Sequence, residues 1–392
     1  MPALPREDPR PTRRALLQGA AVAPVAALLA ACESSAPDTA PTPAPAATPT
    51  RSASGSAPSA AASPSAVRRS PGSARTVVTG IEVPWNIVFL PGGDALVSSR
   101  DTGRILRVTG AGRTSVVTTV PGVVSSVDQG GEGGLLGLAL HPRFAAEPWV
   151  YAYHSTSSDN RVVRMRYRAG RLGRPRLVLD GIRTSVHHNG GGLAFGPDGH
   201  LFVSTGDAET SASAQDRASL NGKILRVTDT GRTPSGNPFG NPVWSYGHRY
   251  VEGLAFDGQG QLWASEFGDQ ALDELNSIER AGDYGWPAVE GPDGPGGYRD
   301  PLATWPTDAC SPSGIAILHG RAWLGALRGE CVYSVVLAGA DRGRIRRHVE
   351  GHGRIRAVAA APDGSLWVGT SNRDGRGTPR AGDDRILRLP FS

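Results

Sequence analysis

Between residues 84 and 392 the sequence repeats one pattern six times: an apolar segment, a turn rich in Gly and Asp, and a second segment of alternating apolar residues. Each repeat has the chemistry of a β-hairpin, because turns such as Pro-Asp-Gly supply the positive φ that a tight reversal needs. The repeats begin at Pro84, Gly134, Gly191, Glu252, Ser313 and Arg356. Equivalent apolar positions recur about every 43 to 61 residues, at Val88, Leu138, Leu193, Leu254, Ile315 and Val358. This is the repeat length of four-stranded blades, so the sequence predicts an all-β fold, a six-bladed β-propeller.

The composition suits a chain of turns and short strands, since it contains 52 glycines and 32 prolines. The formal net charge is +5, but four arginines and two acidic residues fall in the first 14 residues, which leaves about +3 for the rest. No basic run interleaved with aromatic residues stands out, and nucleic acid is therefore not an expected partner.

The first 32 residues have the features of an export signal. The pair Arg13-Arg14 precedes an apolar stretch of small residues, which ends in the lipobox Leu29-Ala-Ala-Cys32. We predict a twin-arginine lipoprotein signal over residues 1–32, with Cys32 carrying the lipid that anchors the exported chain to the outer face of the cell membrane. Residues 33–74 are almost entirely Pro, Ala, Ser and Thr and are predicted to be a disordered tether, which leaves residues 75–392 for the propeller.

Two cysteines remain in the propeller, Cys310 and Cys331, and both belong to the fifth repeat. An exported protein meets an oxidising environment, and neighbouring strands can bring two cysteines to bonding distance, so a disulfide is predicted. Two free thiols are the alternative. A thiol nucleophile is disfavoured because no histidine motif accompanies either cysteine.

Polar residues stand immediately before the first strand of several repeats. In a propeller these entrances converge on the central channel, so residues far apart in sequence are expected to meet there. The entrances supply Glu132, the triplet His187-His188-Asn189, the triplet His248-Arg249-Tyr250, residues Ser311 to Ser313, and the triplet Arg354-Ile355-Arg356. Such a set suits a planar, polyanionic ligand together with a base.

Several longer motifs follow one another in a fixed order. They are EGGLLGLALHP from Glu132, HNGGGLAFGPDG from His188, STGD from Ser204, NGKILRV from Asn221, YGHR from Tyr246, GLAF from Gly253, SEFGD from Ser265 and DYGWP from Asp283. Over nearly all of residues 77–390 the chain resembles the glucose/sorbosone dehydrogenase family. That resemblance implies a soluble quinoprotein that uses pyrroloquinoline quinone (PQQ) and calcium, and that oxidises aldose sugars at the anomeric carbon to lactones.

The resemblance also implies catalytic roles. His188 matches the general base that removes the proton of the anomeric hydroxyl, and Asp207 matches the carboxylate that orients the imidazole. Arg249 matches the arginine beside the quinone carbonyl, where negative charge develops. The implied cofactor-binding residues are Glu132, Arg249, Arg328, Arg354 and Arg356, since guanidinium groups match carboxylates in shape.

For calcium the resemblance implies the backbone oxygens of Gly268 and Asp269, and, at a neighbouring ion, the side chain of Glu274 with Tyr284 or its carbonyl. A solvated acidic turn is the alternative reading of this segment. The chain departs from the soluble glucose dehydrogenases at His187, Tyr250 and Arg328, where those enzymes have aspartate, asparagine and lysine. These departures bear on PQQ affinity and on the choice of sugar.

Two other functional classes remain open from the sequence. A calcium-dependent lactonase would share the six blades, although it would need a metal in a channel that here is rich in Arg and His. A cofactor-free propeller that binds carbohydrate or protein is the other possibility. The sugar, the electron acceptor and the oligomeric state leave no readable signal.

Overall fold

The computed structural model describes residues 70–392, which form six antiparallel sheets arranged in a ring. The predicted six-bladed β-propeller is confirmed. The predicted signal peptide, the lipobox cysteine Cys32 and all but the last residues of the predicted tether lie outside the described residues.

Each blade is a four-stranded meander, numbered here from the N-terminal end of the ring. Blade 1 contains β2 Pro84–Phe89, β3 Ala95–Ser99, β4 Arg104–Val108 and β5 Thr114–Thr119. Blade 2 contains β6 Leu135–Leu140, β7 Trp149–Ser155, β8 Asn160–Arg168 and β10 Arg176–Ile182, with the short β9 Arg171–Leu172 paired to β8. Blade 3 contains β11 Leu193–Phe195, β12 Leu201–Ser204, β13 Lys223–Val227 and β14 Val243–Tyr246.

The remaining blades follow the same order from the channel outward. Blade 4 contains β15 Tyr250–Phe256, β16 Leu262–Phe267, β17 Leu272–Ile278 and β18 Ala303–Pro306. Blade 5 contains β19 Pro312–Leu318, β20 Arg321–Ala326, β21 Cys331–Val336 and β22 Ile345–His348. Blade 6 contains β23 Ile355–Ala360, β24 Leu366–Thr370, β25 Arg385–Leu389 and the N-terminal strand β1 Arg75–Thr79.

Helical structure in residues 70–392 is limited to two 3₁₀ turns, Val127–Gln129 and Ser211–Ala214. Within this part of the chain we find no helix with the length and hydropathy needed to cross a membrane.

The first strands of successive blades contact each other around the channel. Glycines in these strands allow the close approach. A Cβ atom added at Gly137 would lie 2.1 Å from the carbonyl oxygen of Gly191, and one added at Gly314 would lie 2.6 Å from that of Arg356. The LLGLAL and SGIAI motifs therefore carry glycine where the backbone of the next blade occupies the space of a side chain.

The ring is closed by pairing the two ends of the described chain. Strand β1 is the outer strand of blade 6 and pairs with β25. Ser70 and Ser392 exchange two backbone hydrogen bonds, and Pro71 pairs with Phe391. Residues 70 and 71, which the sequence analysis assigned to the tether, thus pair with the last residues of the chain. All six sheets and the buried apolar clusters between them lie within residues 70–392, so this part can fold as a unit.

Buried serines in the second strands connect neighbouring blades. Ser98 Oγ donates a hydrogen bond of 2.6 Å to the carbonyl oxygen of Leu136 in the next blade. Ser204 Oγ donates one of 2.8 Å to that of Val251, and Ser265 repeats the contact with Ser313. Each hydroxyl satisfies a carbonyl that the strand ladder leaves free, which fixes the angle between blades.

The predicted disulfide is absent, because Cys310 and Cys331 are two free, buried thiols in this structure. Cys310 precedes β19 and Cys331 opens β21, and β20 lies between these strands in the sheet. The expectation that the two cysteines lie on neighbouring strands was therefore wrong. Burial raises the pKa of both thiols, which keeps them in the unreactive neutral form.

The inter-blade serines give a stability prediction. Ser98→Ala removes the donor to Leu136 and the acceptor for the Asn86 N–H, which is 3.1 Å away. We expect the free energy of unfolding to fall by about 1 to 3 kcal/mol. Ser115→Ala, at an exposed position of β5, is the matched control and should change it by less than about 0.5 kcal/mol. Urea denaturation of both variants measures the difference, and equal midpoints would contradict the assigned role.

Candidate active site

The entrances of the first strands surround one open cavity of ≈ 280 Å³ at the mouth of the central channel. Its lining comprises Glu132, His187, His188, Arg249, Tyr250, Glu252, Phe267, Ser311, Leu327, Arg328, Arg354, Arg356 and Arg376. The structure therefore brings together all the residues that the sequence assigned to cofactor binding, together with His188. Five arginines line the cavity against four carboxylates, Glu132 and Glu252 in the lining and Asp374 and Asp269 paired with Arg354 and Arg249, so positive charge exceeds negative charge by one.

His188 is held by Asp207, which lies behind it. Its Nδ1 atom is 2.8 Å from Oδ1 of Asp207, and that carboxylate is 2 % exposed. Since a carboxylate can only accept, Nδ1 carries a proton, and in the neutral form of the ring Nε2 has the lone pair. Among the described residues Nε2 has no hydrogen-bond partner, so this atom is available to take a proton from a ligand in the cavity.

Two further contacts hold Asp207 in place. Its Oδ2 accepts a hydrogen bond of 2.9 Å from the indole N–H of Trp286, and the backbone N–H of Glu209 donates to Oδ1 at 2.9 Å. Trp286 lies in the long loop between β17 and β18, and the sequence analysis did not identify it as a site residue. The predicted pair of His188 and Asp207 is thus a triad of side chains in the structure.

The backbone at His188 is strained, with φ at 56°. Side chains other than glycine rarely adopt this left-handed conformation, and strain of this kind persists only where neighbouring contacts enforce it. Glu132 Oε2 accepts the His188 N–H at 3.0 Å, and the His188 carbonyl accepts the N–H of Ala208 at 3.2 Å. Ser311, on the other side of the cavity, has φ at 53° as well.

Glu132 has both of its carboxylate oxygens in use. One accepts the His188 N–H, and the other accepts a hydrogen bond of 2.6 Å from Nη1 of Arg376. Burial alone would raise the pKa of Glu132, but Arg376 and the His188 N–H hold it below its usual value. The structure thus places Glu132 as the support of His188 and adds Arg376, which the sequence analysis missed, to the cavity.

Arg249 is fixed at the rim of the cavity. Its guanidinium donates to the carbonyl oxygen of Gly268 at 2.7 Å and to Oδ1 of Asp269 at 2.8 Å, and it lies over the ring of Trp286. Nε of Arg249 is buried and has no partner within the described residues. A buried donor without a partner is costly, and here it adjoins the cavity, as a group that binds an anionic ligand would.

The floor of the cavity is a buried network. Nη1 of Arg356 donates to both carboxylate oxygens of Glu252 at 2.7 Å, and both side chains are at most 2 % exposed. Tyr250, which departs from the family pattern, donates its hydroxyl to Glu252 at 2.6 Å and packs its ring 5.5 Å from that of His188. Arg356 is therefore a buried structural residue beneath the cavity.

The other two predicted arginines, Arg354 and Arg328, differ in how tightly neighbouring groups hold their side chains. Nε of Arg354 donates to Oδ2 of Asp374 at 2.9 Å, and the pKa of Asp374, which burial would raise, is held low by Arg356 and Arg354. Arg328 makes one long contact of 3.4 Å, to the carbonyl of Thr307. Arg328 is thus the most adaptable arginine of the lining. His187, the remaining departure, lies 3.0 Å from Oε1 of Glu209.

Three of the four predicted metal residues line a second, very small cavity of ≈ 10 Å³. They are Gly268, Glu274 and Tyr284, and Glu266 joins them. This volume is about that of one water molecule or ion. Asp269 lies outside it, with its carboxylate on Arg249.

Three acidic side chains, Glu266, Glu274 and Glu290, line this small cavity together with Arg249. Burial, followed by the charge of Glu266, raises the pKa of Glu274 to about 8. The Nδ2 atom of Asn276 donates to Glu266 at 3.0 Å and to Glu274 at 2.9 Å, while its Oδ1 is buried without a partner. The carboxylates of Glu266 and Glu274 are oxygen ligands of the kind that a hard cation prefers.

The hydroxyl of Tyr284 does not contribute to this set. It donates to the carbonyl of Ser277 at 2.7 Å and accepts the N–H of Glu279 at 2.8 Å, while the ring stacks on His248. The carbonyl oxygen of Tyr284 accepts no hydrogen bond from any described residue, so of the two Tyr284 oxygens it is the one free to act as a ligand.

Other polar sites lie away from the mouth. His141, Glu147 and Asp229 form an acidic cluster at the far end of blade 2, where Nδ1 of His141 accepts the N–H of Arg143 at 3.2 Å. A cavity of ≈ 710 Å³ lies between the turns of blades 4 and 5 at the same end of the ring. Its ionisable lining is limited to Asp257, His319 and Arg342, without the pairing of base and carboxylate found at the mouth.

Comparison with known proteins agrees with this geometry. The family model of glucose/sorbosone dehydrogenases matches residues 81–387. The solved PQQ-bound aldose sugar dehydrogenase of Streptomyces coelicolor is 48 % identical, with a TM-score of 0.78, and the match covers 82 % of this chain and all of that one.

Two curated relatives are also similar. The aldose sugar dehydrogenase YliI of Escherichia coli is 29 % identical over 75 % of this chain and 89 % of its own. The quinoprotein glucose dehydrogenase B of Acinetobacter calcoaceticus is 31 % identical over 57 % of this chain and 54 % of its own. With the propeller, the entrance motifs and the family match in agreement, the chain belongs to the glucose/sorbosone dehydrogenase family of oxidoreductases.

Proposed function

We propose that this protein oxidises aldose sugars at the anomeric carbon to lactones, with PQQ as its cofactor. The observation that carries the proposal is the pair of His188 and Asp207 at the edge of an arginine-rich cavity. The similar Streptomyces coelicolor enzyme is described as PQQ-bound, and the similar Acinetobacter calcoaceticus enzyme as a quinoprotein.

The cavity fits PQQ on two counts. The cofactor is planar and carries several carboxylates, and the lining has five arginines against two glutamates. The buried Nε of Arg249 has no partner among the described residues and could donate to such a ligand. Arg249, Arg328, Arg354 and Arg376 would hold the cofactor, above a floor set by Arg356 and Glu252. When bound, PQQ supplies an acceptor for the hydride that leaves the sugar.

The protein's own contribution to the reaction is control of one proton. Nε2 of His188 faces the cavity with a free lone pair and can take the proton of the anomeric hydroxyl as the carbon loses hydride. Asp207 then stabilises the imidazolium, because its carboxylate is already hydrogen-bonded to Nδ1. The strained backbone and the contact with Glu132 keep the ring in this position before the sugar arrives.

We further propose that calcium binds in the small cavity beside the site, held by Glu266, Glu274 and the carbonyl of Tyr284. The two carboxylates that line this cavity support the assignment. At Gly268 and Asp269, which the sequence assigned to an ion near the cofactor, the guanidinium of Arg249 already contacts the Gly268 carbonyl and the Asp269 carboxylate. An ion at that position would have to share the Gly268 oxygen with Arg249.

We also propose that the chain is exported and anchored through lipid on Cys32, as the twin-arginine and lipobox motifs indicate. Its substrate and its electron acceptor would then be extracytoplasmic.

The catalytic role of His188 has a direct test. His188→Ala should lower the rate of aldose oxidation with PQQ, calcium and a dye acceptor by about 10² to 10⁴, because the general base is lost. PQQ binding, measured by absorbance titration, should remain, because the substitution changes no arginine of the proposed cofactor site. His200→Ala, at the far end of blade 3 beside Asp198, is the control and should keep the parental rate. Parental activity in His188→Ala would rule out the proposed base.

Calcium binding is tested by thermal unfolding. Saturating calcium should raise the melting temperature of the parent, because an ion that binds only the folded state stabilises it by about 2.7 kcal/mol at 100 times its Kd. Glu274→Gln should abolish this calcium-dependent shift. Glu147→Gln, which alters the other acidic cluster, should keep it. A shift of equal size in both variants would place the ion elsewhere.

Anchoring is tested by Cys32→Ser. The variant should leave the membrane fraction or accumulate as an uncleaved precursor, since no lipid can be attached. Fractionation and gel migration identical to the parent would contradict the lipoprotein assignment.

A further inference from the structure

The outer part of blade 2 carries a dense group of arginines. Residues 161–179 contain seven arginines and no acidic residue. Arg161 pairs with Asp159 and Arg164 with Asp229, but the other five form no ion pair with any described residue. These five define the blade-2 arginine patch: Arg166, Arg168, Arg171, Arg174 and Arg176, all exposed.

The patch is concave and amphipathic. Arg166, Arg168 and Arg171 line one open cleft of ≈ 280 Å³ with Leu172 and Gly173. Beside it the half-buried ring of Trp149 lies 5.3 Å from the guanidinium of Arg176 and 5.9 Å from that of Arg166. Leu177, next in sequence to the patch, is 53 % exposed. Arginine, tryptophan and an exposed aliphatic side chain are the groups that settle at the polar surface of a bilayer.

Strand pairing places the patch at the end of the propeller opposite the active-site mouth. Glu132 precedes β6, which runs away from the mouth, and β7 returns from Trp149. Arg166 pairs with Trp149, so it lies at the far end of blade 2, and Arg168 and Arg171 continue beyond it. A partner bound there would leave the cavity open.

The chain enters the propeller at the same end. Ile355, at the mouth end of β23, pairs with Thr370, whereas Leu366 and Leu389 pair at the far end of β24 and β25. Arg75, the first residue of β1, pairs with Arg388, beside Leu389. The described chain therefore enters the propeller on the side that bears the patch.

We propose that the blade-2 arginine patch binds the anionic headgroups of the membrane to which the chain is anchored, and so turns the active-site mouth away from the bilayer. Each arginine near an anionic surface adds about 1 kcal/mol of attraction. An acidic protein that collects electrons is a poorer fit, because it would dock at the opposite end from the cavity. The inference rests partly on the proposed anchoring, but its test does not use the anchor.

The test uses residues 70–392 without the tether, mixed with vesicles of about one-third phosphatidylglycerol and two-thirds phosphatidylcholine at low ionic strength. We expect the protein to float with these vesicles, to stay in solution with pure phosphatidylcholine, and to detach at high salt. Brominated lipids should quench its tryptophan fluorescence, and Trp149→Phe should remove most of that quenching.

A matched pair of triple variants isolates the patch. Arg168→Gln with Arg171→Gln and Arg174→Gln should weaken binding at least tenfold. Arg104→Gln with Arg373→Gln and Arg380→Gln removes the same charge from exposed positions at the mouth end and should leave binding within twofold. The proposal is overturned if the unmutated protein does not bind anionic vesicles, or if both triple variants lose binding to the same extent. It is also overturned if the protein binds soluble polyglutamate but not vesicles.

Discussion

A buried ion pair between Arg356 and Glu252 connects blade 6 to blade 4 beneath the active-site cavity. Two hydrogen bonds of 2.7 Å join the side chains, and neither is more than 2 % exposed. Such a pair adds little net stability, but removal of one partner leaves an unpaired buried charge, which costs about 3 to 5 kcal/mol. Tyr250 and Ser313 donate hydrogen bonds to the same glutamate. The ion pair of Arg356 and Glu252 therefore holds the bottom of the cavity in place.

The pairing of the remaining charges explains how a small cavity can hold so many arginines. Asp374 neutralises Arg354, Glu132 neutralises Arg376, and Asp269 lies against Arg249. Each guanidinium is therefore oriented before a ligand binds, which lowers the reorganisation that an anionic cofactor would demand. Glu132 also positions the general base, because it accepts a hydrogen bond from the strained backbone of His188.

The repeats in the sequence predicted the number of blades and the position of the cavity. Six hairpins at blade spacing predicted six blades, and the entrance positions of Glu132, His188, Arg249 and Arg356 predicted a shared cavity. Arg376, Trp286 and Glu266 were missed. Arg376 lies in the loop between the second and third strands of blade 6, and Trp286 in the loop between the third and fourth strands of blade 4, where no repeat signals their direction. Glu266 lies near the end of a second strand rather than before a first one.

The errors have the same origin. Cys310 and Cys331 both belong to blade 5, but sequence proximity did not reveal that β20 separates their strands. For Tyr284 the sequence made no error but left open whether the side chain or the carbonyl would be the ligand, because the motif could not show that the hydroxyl is hydrogen-bonded to Ser277. Side-chain partners depend on neighbouring blades, and the chain carries no local signal for them.

The central claim is that the mouth of this propeller is a PQQ site built from paired arginines. Calorimetric titration of residues 70–392 with PQQ, in the presence of calcium, tests it most directly. The account predicts saturable binding of one PQQ per chain, with an affinity that falls as salt is raised. Absence of saturable binding at saturating calcium would contradict it.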